Sequence, residues 1–255
     1  IQALDVNGIP DPNGKKVFLI IGESNVEIEA EAIVRDANLD ASRDPHVVVV
    51  NGGMGNETSV YLQNPNSGFW STINNFILPN YGVTPAQVVA IWAEPNDALT
   101  SGTYPTDINA IEGELKTEIQ NFLLKYPNLK MAYLSSRTYS GYSNGISKTN
   151  PEPYAYEVGF AMREVILDQI NGDLALNFDP SKGTVVAPWL SWGPYYWADG
   201  LTVPSGNGTV WSCQDSQADG THPGRMAASE KVANAVMNML HTDTTAAPWY
   251  LTPPQ

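Results

Sequence analysis

The sequence has little cysteine, little positive charge and no long apolar run, and each shortage excludes a class of protein. Cys213 is the only cysteine among 255 residues, so no disulfide bond can form within the chain. Thirteen Lys and Arg residues stand against 27 Asp and Glu residues, which gives a formal net charge of −14 at pH 7. Such a surface repels phosphate backbones and anionic lipids, so neither nucleic acid nor a membrane is an expected partner. No apolar run approaches the roughly 20 residues that a membrane-spanning helix needs.

Internal repeats and low-complexity linkers are also missing, and the length suits one α/β domain with a sizeable core. We therefore expect a single domain over residues 1–255, with a turn-rich segment at 1–14 and an extended tail at 242–255. The acidic balance and the start at Ile1 rather than Met favour a secreted or periplasmic protein, with a cytoplasmic location as the alternative. The sequence makes no prediction about the oligomeric state.

Five short apolar runs predict the strands of a parallel sheet. They are rich in β-branched residues and do not alternate with polar ones, as is typical of strands buried on both faces; they are Val17–Gly22, Val47–Val50, Val88–Trp92, Met131–Ser135 and Val185–Leu190. Helical patterns lie between them at 70–77, at 107–126 with Asp107 as N-cap, at 152–170, and at 224–241 with Pro223 at the first helical position. The alternation predicts a sheet covered by helices on both faces.

Ligands of such sheets bind beyond the carboxyl ends of the strands, so the residues that follow each strand are the first candidates for a site. The first strand is followed by Gly-Glu-Ser-Asn, residues 22–25. A serine at a strand-to-helix turn can project its hydroxyl above the sheet edge, with its backbone N–H beside it. The alternative is structural, because Ser24 and Glu27 also form a capping-box pattern at a helix start.

Two further loops follow the second and third strands. Residues 51–59 contain three glycines, which would let a backbone N–H approach a ligand closely, although a flexible loop explains them equally well. Residues 92–97 contain Asn96, whose amide can donate a hydrogen bond into a cleft. The alternative for Asn96 is an ordinary Pro-Asn-Asp turn.

A fourth segment lies near the C-terminus, in Asp-Gly-Thr-His-Pro-Gly at residues 219–224. An Asp three residues before a His can hold the imidazole Nδ1–H, which leaves Nε2 free to accept a proton from a serine. His46 and His241 are better explained as structural residues. The alternative for His222 is a helix cap before Pro223.

Taken together and in this order, these segments resemble the characteristic blocks of the SGNH/GDSL hydrolase superfamily, in its carbohydrate-esterase-like G-x-S-N branch. The resemblance implies a flavodoxin-like, three-layer α/β/α sandwich with a central five-stranded parallel sheet. It also implies Ser24 as nucleophile with Asp219 and His222 as triad partners, and an oxyanion hole made by Ser24, Gly55 and Asn96. The alternatives for the last two donors are another glycine of the second block and Asp97 or another residue shifted from Asn96. The first block departs from the G-D-S of lipase-like members, and the third has Glu94 where many members have Gly.

The resemblance implies a serine carboxylic-ester hydrolase that works through an acyl-enzyme on a small-molecule or carbohydrate ester, with carbohydrate O-acetyl esters as one option. It implies no metal and no cofactor. Within enzymes, the alternative is a lipase-like or thioesterase-like hydrolase of short acyl chains. From another class, the alternative is a catalytically inactive carbohydrate-binding domain.

Aromatic residues are candidates for the walls of the cleft. The segment 189–211 holds four Trp and two Tyr residues, which could stack on a substrate or simply pack against one another. The residues expected to contact substrate are Asn25, Arg137, Trp192 and Trp197.

Several acids in these segments need a partner. Glu23 and Glu94 would oppose a developing negative charge unless they pointed away or paired, and Arg137 and Arg225 are the expected partners. Glu27, Glu29 and Glu31 are expected on a solvated surface rather than in a metal site, and a calcium loop in residues 1–14 is likewise disfavoured.

Overall fold

The computed structural model describes residues 1–97, 103–143 and 152–253. Within these ranges, five strands form one sheet in the order β2-β1-β3-β4-β5, and every neighbouring pair is parallel. The strands are Lys16–Ile21 (β1), Val47–Asn51 (β2), Val88–Ala93 (β3), Met131–Leu134 (β4) and Trp189–Trp192 (β5). The first, third and fourth strands are buried along their whole length, which explains their continuous apolar runs.

Helices cover both faces of this sheet. The longer ones are Ser24–Leu39 (α1), Thr106–Lys125 (α5), Tyr154–Ile170 (α6) and Ala227–Thr242 (α7), and the shorter ones are Ser59–Leu62 (α2), Gly68–Thr72 (α3), Leu78–Asn80 (α4) and Ala247–Tyr250 (α8). A π-helical turn, Ile73–Ile77, joins α3 to α4. One apolar cluster joins α1 and α7 to one face of the sheet, and another joins α3, α5 and α6 to the opposite face. The predicted three-layer α/β/α fold class, with its flavodoxin-like strand order, is confirmed.

The fifth strand begins later than its apolar run predicts. Residues 185–188 lie outside the sheet, because the backbone N–H groups of Val186 and Ala187 both donate to the carbonyl of Asn177. Pro188 follows and has no N–H to give to a ladder. The predicted start at Val185 is therefore wrong, and β5 begins at Trp189.

Three other boundaries also differ from the sequence predictions. Helix α5 begins at Thr106, which places Asp107 inside its first turn rather than at the N-cap. Helix α7 begins at Ala227 and not at Pro223. Pro223 instead forms an isolated antiparallel β-bridge with Ser216, and the N–H of Gly224 donates to the carbonyl of Asp215. The tail is not extended throughout: α8 forms there, because its Trp249 packs on Phe18 and is buried.

No helix in the described part of the chain combines the length and the hydropathy that crossing a membrane requires. The carboxyl ends of all five strands meet at one edge of the sheet. The loops that follow β1, β2, β3 and β4 carry the polar residues singled out above. This edge is therefore where a site is to be sought.

Candidate active site

Ser24, His222 and Asp219 lie side by side at this edge of the sheet. Ser24 is the first residue of α1, and its Oγ lies 2.8 Å from Nε2 of His222. On the other side of the ring, Nδ1 of His222 lies 2.5 Å from Oδ2 of Asp219. The structure thus brings together the three residues that the sequence placed in a triad.

Asp219 is fixed by its own turn and is held in its ionised form. Its Oδ1 accepts the backbone N–H groups of Thr221 at 3.0 Å and His222 at 3.1 Å. Burial acts to raise the pKa of Asp219, but the hydrogen bonds from the His222 ring and from these N–H groups outweigh it, so the pKa lies below its usual range. An ionised Asp219 keeps the proton of a neutral imidazole on Nδ1 and directs Nε2 to Ser24.

The turn between Asp219 and His222 requires glycine at its second position. Gly220 has φ +72°, in the left-handed region, and a Cβ there would lie 2.0 Å from the carbonyl oxygen of Tyr142. The turn is closed by two backbone hydrogen bonds, from Gly220 to Gln217 and from Gln217 to His222. The backbone of Tyr142 therefore packs directly beneath the loop that carries the imidazole.

Glu23 is a second acceptor for the Ser24 hydroxyl. Its Oε2 lies 2.5 Å from Ser24 Oγ and 3.3 Å from the backbone N of Asn25. Glu23 is thus the N-cap of α1, and Ser24 is the first helical residue. The capping-box interpretation of Ser24 is wrong, because the capping acceptor is the side chain one residue earlier.

Arg137 lies beneath Glu23 instead of facing a substrate. Its Nη1 lies 2.5 Å from Glu23 Oε1, and its side chain is completely buried. Burial acts to raise the pKa of Glu23, but the charge of Arg137 and the hydrogen bond from Ser24 outweigh it. The pKa of Glu23 therefore lies below its ordinary value. The substrate-contact prediction for Arg137 does not fit this burial, whereas the expected pairing with Glu23 is what the structure contains. Arg225 pairs with Glu31 on the surface.

Two more carboxyl groups lie behind this ion pair. Glu94 Oε1 is 3.6 Å from Arg137 Nη1, and Glu94 Oε2 accepts the hydroxyl of Tyr196. Burial raises the pKa of Glu94 to about 7, and burial together with the charge of Glu94 raises the pKa of Glu29 well above its usual value. Burial and the neighbouring carboxyl of Glu94 therefore favour the protonated form of Glu29, whereas the charge of Arg137 opposes it.

The three predicted oxyanion donors differ in how free they are. Ser24 opens α1, so its backbone N–H has no acceptor within the helix. Asn96 is buried, and its Nδ2 donates to Glu23 Oε1 at 3.3 Å and to the backbone carbonyl of Glu94 at 3.5 Å, both longer contacts than that of Gly55. The N–H of Gly55, however, donates to Oε2 of Glu27 at 3.0 Å. Gly55 is therefore not a free donor in this conformation, because Glu27, in the first turn of α1, already uses it.

The other glycines of the second loop are engaged too. The N–H of Gly52 donates to the carbonyl of Ile20, and that of Gly53 donates to Oδ1 of Asn51. Met54 donates to the carbonyl of Gly22, which ties this loop to the end of β1. These hydrogen bonds explain the loop as a support for the Ser24 turn.

The remaining predicted contact residues have different environments. Asn25 is buried, with Nδ2 3.5 Å from the carbonyl oxygen of Thr221, so it lies between α1 and the His222 loop rather than on a surface. Trp197 donates from Nε1 to Glu152 and packs against Tyr156, with ring centroids 4.5 Å apart and the ring planes tilted by 45°. Trp197 is therefore mainly packed against other side chains.

Trp192, at the end of β5, is 37% exposed and suits a substrate contact best. It lines a hollow of about 280 Å³ with Tyr156, Gly159, Phe160, Arg163 and Tyr195. A larger hollow of about 1080 Å³ touches Met131 and Trp189, which begin β4 and β5. That hollow lies at the opposite end of the sheet and takes no part in the site.

Glu27, Glu29 and Glu31 of α1 have three separate environments, and the predicted solvated surface is wrong for Glu29, which is fully buried. Glu27 accepts from Gly55, Glu29 is buried beside Glu94, and Glu31 pairs with Arg225. In the part of the chain that the structure describes, no group of three or more His, Cys, Asp or Glu side chains has the arrangement of a metal site.

No family model matches this chain, and no curated protein is similar to it in sequence. Similar solved structures include a protein from Parabacteroides merdae described as a GDSL-like lipase, with 14% identity and a TM-score of 0.47 over 90% of this chain and 98% of that chain. Another is a carbohydrate esterase family 3 protein from Talaromyces cellulolyticus, with 10% identity and a TM-score of 0.47 over 89% of this chain and 96% of that one. In its motifs and its strand order, the chain resembles SGNH/GDSL hydrolases.

Proposed function

We propose that this chain is a serine carboxylic-ester hydrolase that works through an acyl-enzyme on Ser24. One observation carries the proposal: the hydroxyl, the imidazole and the carboxylate follow one another at 2.8 Å and 2.5 Å. These distances are within the hydrogen-bond reach that nucleophile, base and orienting group require.

In the proposed reaction, His222 Nε2 accepts the hydroxyl proton as Ser24 Oγ bonds to the ester carbonyl carbon. The carbon–oxygen bond to the alcohol then breaks, and the imidazolium returns that proton to the leaving oxygen. A water molecule, deprotonated by the same imidazole, attacks the acyl carbonyl carbon. The bond from that carbon to Ser24 Oγ then breaks, the imidazolium returns the proton to Oγ, and the acid is released. Asp219 stabilises the imidazolium throughout.

The developing oxyanion would be held by the backbone N–H of Ser24 and by Nδ2 of Asn96. The first donor opens α1, and the second follows β3 and is buried. Preorganised donors of this kind stabilise the transition state more than the ground state.

The substrate class that we propose is a small-molecule or carbohydrate ester, with O-acetyl groups on sugars as the first choice. The exposed face of Trp192 and the aromatic hollow beside it support this choice, because flat aromatic rings stack on sugar rings. Hydrolysis of lipid or thioester acyl groups is the alternative within the same mechanism.

The contact between Glu23 and Ser24 favours a second candidate, a catalytically inactive carbohydrate-binding domain. Ser24 Oγ lies 2.5 Å from Glu23 Oε2, and a hydroxyl that donates its one proton to Glu23 does not donate it to His222. Binding without turnover would then be the function of this edge of the sheet.

The test is a panel of esters hydrolysed by the purified protein. It would contain p-nitrophenyl acetate, butyrate and octanoate, acetylated xylo-oligosaccharides and an acyl thioester. Ser24→Ala and His222→Ala are the test variants. Ser71→Ala removes an exposed hydroxyl, and His241→Ala removes an imidazole that also pairs with an aspartate, so they are the matched controls.

We expect turnover of at least one short ester, with loss in both test variants and none in the controls. Preference for acetylated sugars over p-nitrophenyl octanoate would support the carbohydrate substrate. Equal rates in the wild type and in His222→Ala would contradict the mechanism. Binding of the oligosaccharide without hydrolysis of any ester would support the binding domain.

A further inference from the structure

Glu23 joins the nucleophile to an oxyanion donor through one carboxylate. Its Oε2 accepts from Ser24 Oγ at 2.5 Å and from the backbone N of Asn25 at 3.3 Å. Its Oε1 accepts from Arg137 Nη1 at 2.5 Å and from Asn96 Nδ2 at 3.3 Å. The Glu23 side chain therefore fixes the position of the Ser24 hydroxyl relative to the Asn96 amide.

Stability alone does not explain the ion pair that anchors this carboxylate. Arg137 is fully buried, and its Nε and Nη2 have no hydrogen-bond acceptor among the residues that the structure describes. A buried ion pair with unsatisfied donors is usually no more stable than apolar side chains of similar size. The pair is better explained by the geometry that it imposes on Ser24.

The pair also solves an electrostatic problem at the site. A bare carboxylate next to Ser24 would repel the oxyanion that forms on the substrate during attack. The guanidinium of Arg137, 2.5 Å from Glu23, makes the two side chains nearly neutral together. Glu23 can therefore hold the hydroxyl without opposing the reaction.

We propose that Glu23, anchored by Arg137, is a positioning residue that sets the orientation of Ser24 Oγ and of the Asn96 amide. This inference rests on the proposed ester hydrolysis. Glu23 exchanges no proton with substrate; it holds the hydroxyl until substrate binds and His222 accepts the proton.

The test compares Glu23→Gln, Arg137→Met and the double variant. Glu23→Gln keeps the shape but loses the charge, so we expect kcat to fall on the order of 10–10²-fold with little change in KM, because the hydroxyl is misplaced. Arg137→Met leaves the carboxylate without its counter-charge, and its kcat should fall further. The double variant removes that uncompensated charge and should recover to the level of Glu23→Gln.

Glu118→Gln is the matched control, because it alters a buried carboxyl that contacts Ser59 and no residue of the triad. Circular dichroism is measured on each variant so that kcat refers to folded protein, and the rate of labelling by a fluorophosphonate probe reports the reactivity of Ser24 separately. A double variant no more active than Arg137→Met would overturn the inference. If Arg137→Met does not fold, Glu23→Asp is measured instead, because it keeps the negative charge but shortens the side chain. A wild-type kcat in Glu23→Asp would overturn the inference. A fall in kcat comparable to that of Glu23→Gln would support it.

The two proposals fail in different ways. A folded wild type that hydrolyses no ester and takes no label would remove the proposed function itself. An active wild type, an inactive Ser24→Ala and a fully active Glu23→Gln would remove the positioning role alone.

Discussion

Ser24 Oγ lies 2.8 Å from His222 Nε2, although 198 positions separate the two residues in the chain. The parallel sheet explains how they meet. Ser24 follows the end of β1, the second strand in the sheet order, and His222 lies in the loop that precedes α7. Because α1 and α7 pack on the same face of the sheet, their first turns approach the same edge.

Replacing Asp219 should damage catalysis far more than folding. Asp219→Asn would no longer hold the Nδ1–H tautomer, and substitutions of this type in Ser-His-Asp triads reduce kcat on the order of 10⁴-fold. Asp40→Asn is the control, since Asp40 also accepts from a histidine, His241, but far from Ser24 in the fold. Steady-state kinetics on the best ester would measure both, and a loss no greater in Asp219→Asn than in the control would argue against the triad.

Asn96 should contribute through its side-chain amide. Asn96→Ala removes Nδ2, and the loss of one oxyanion donor typically lowers kcat about 10²–10³-fold. Asn109→Ala, on the exposed side of α5, is the control and should leave kcat unchanged. KM should change little in either variant, because the amide acts on the transition state. A wild-type kcat in Asn96→Ala would contradict the role of this amide as an oxyanion donor.

Glycine at position 220 should be needed for packing as well as for its backbone angle. Gly220→Ala places a Cβ 2.0 Å from the Tyr142 carbonyl oxygen and should displace the His222 loop. Gly208 has a similar φ of +83°, but a Cβ added there would have no atom within 4 Å, so Gly208→Ala carries only the backbone strain, about 1–2 kcal/mol. We expect Gly220→Ala to lose most of its activity and Gly208→Ala to keep it. Thermal unfolding and ester turnover would measure both, and equal effects would refute the packing argument.

Stability should decline as the pH rises from about 5 to 8, partly because of Glu118. Burial raises the pKa of Glu118 from 4.5 to about 8, so between these values the folded state holds a proton that the unfolded state has released. Stability then falls with rising pH by up to about 1.4 kcal/mol per pH unit and levels off above the folded pKa. Glu118→Gln cannot ionise and should show a shallower decline. Urea unfolding at pH 5, 6, 7 and 8 would test this, and parallel curves for the two proteins would contradict it.

The sheet was predictable because its signal is local. Continuous apolar runs rich in Val and Ile, such as those of β1 and β3, occur where both faces of a strand are covered. The predicted start of the fifth strand at Val185 was wrong for a local reason as well. The backbone carbonyl of Asn177 accepts the N–H groups of Val186 and Ala187, which keeps these residues out of the sheet.

The candidate site was predictable only in part. Asp219 and His222 are three residues apart and share one turn, so their pairing is visible in the sequence. The contact of Glu23 with Arg137 spans 114 positions, and no spacing indicates that an arginine will be fully buried. The loss of Gly55 as a free donor depends on the direction of the Glu27 side chain, which is set by the packing of α1.

The nucleophilicity of Ser24 can be measured without knowing the substrate. The folded protein would be treated with a fluorophosphonate, its intact mass recorded, and the modified residue located by peptide mapping. The account predicts a single adduct on Ser24, absent in Ser24→Ala and formed much more slowly in His222→Ala. A folded wild type that gains no mass, or an adduct that survives in Ser24→Ala, would contradict it.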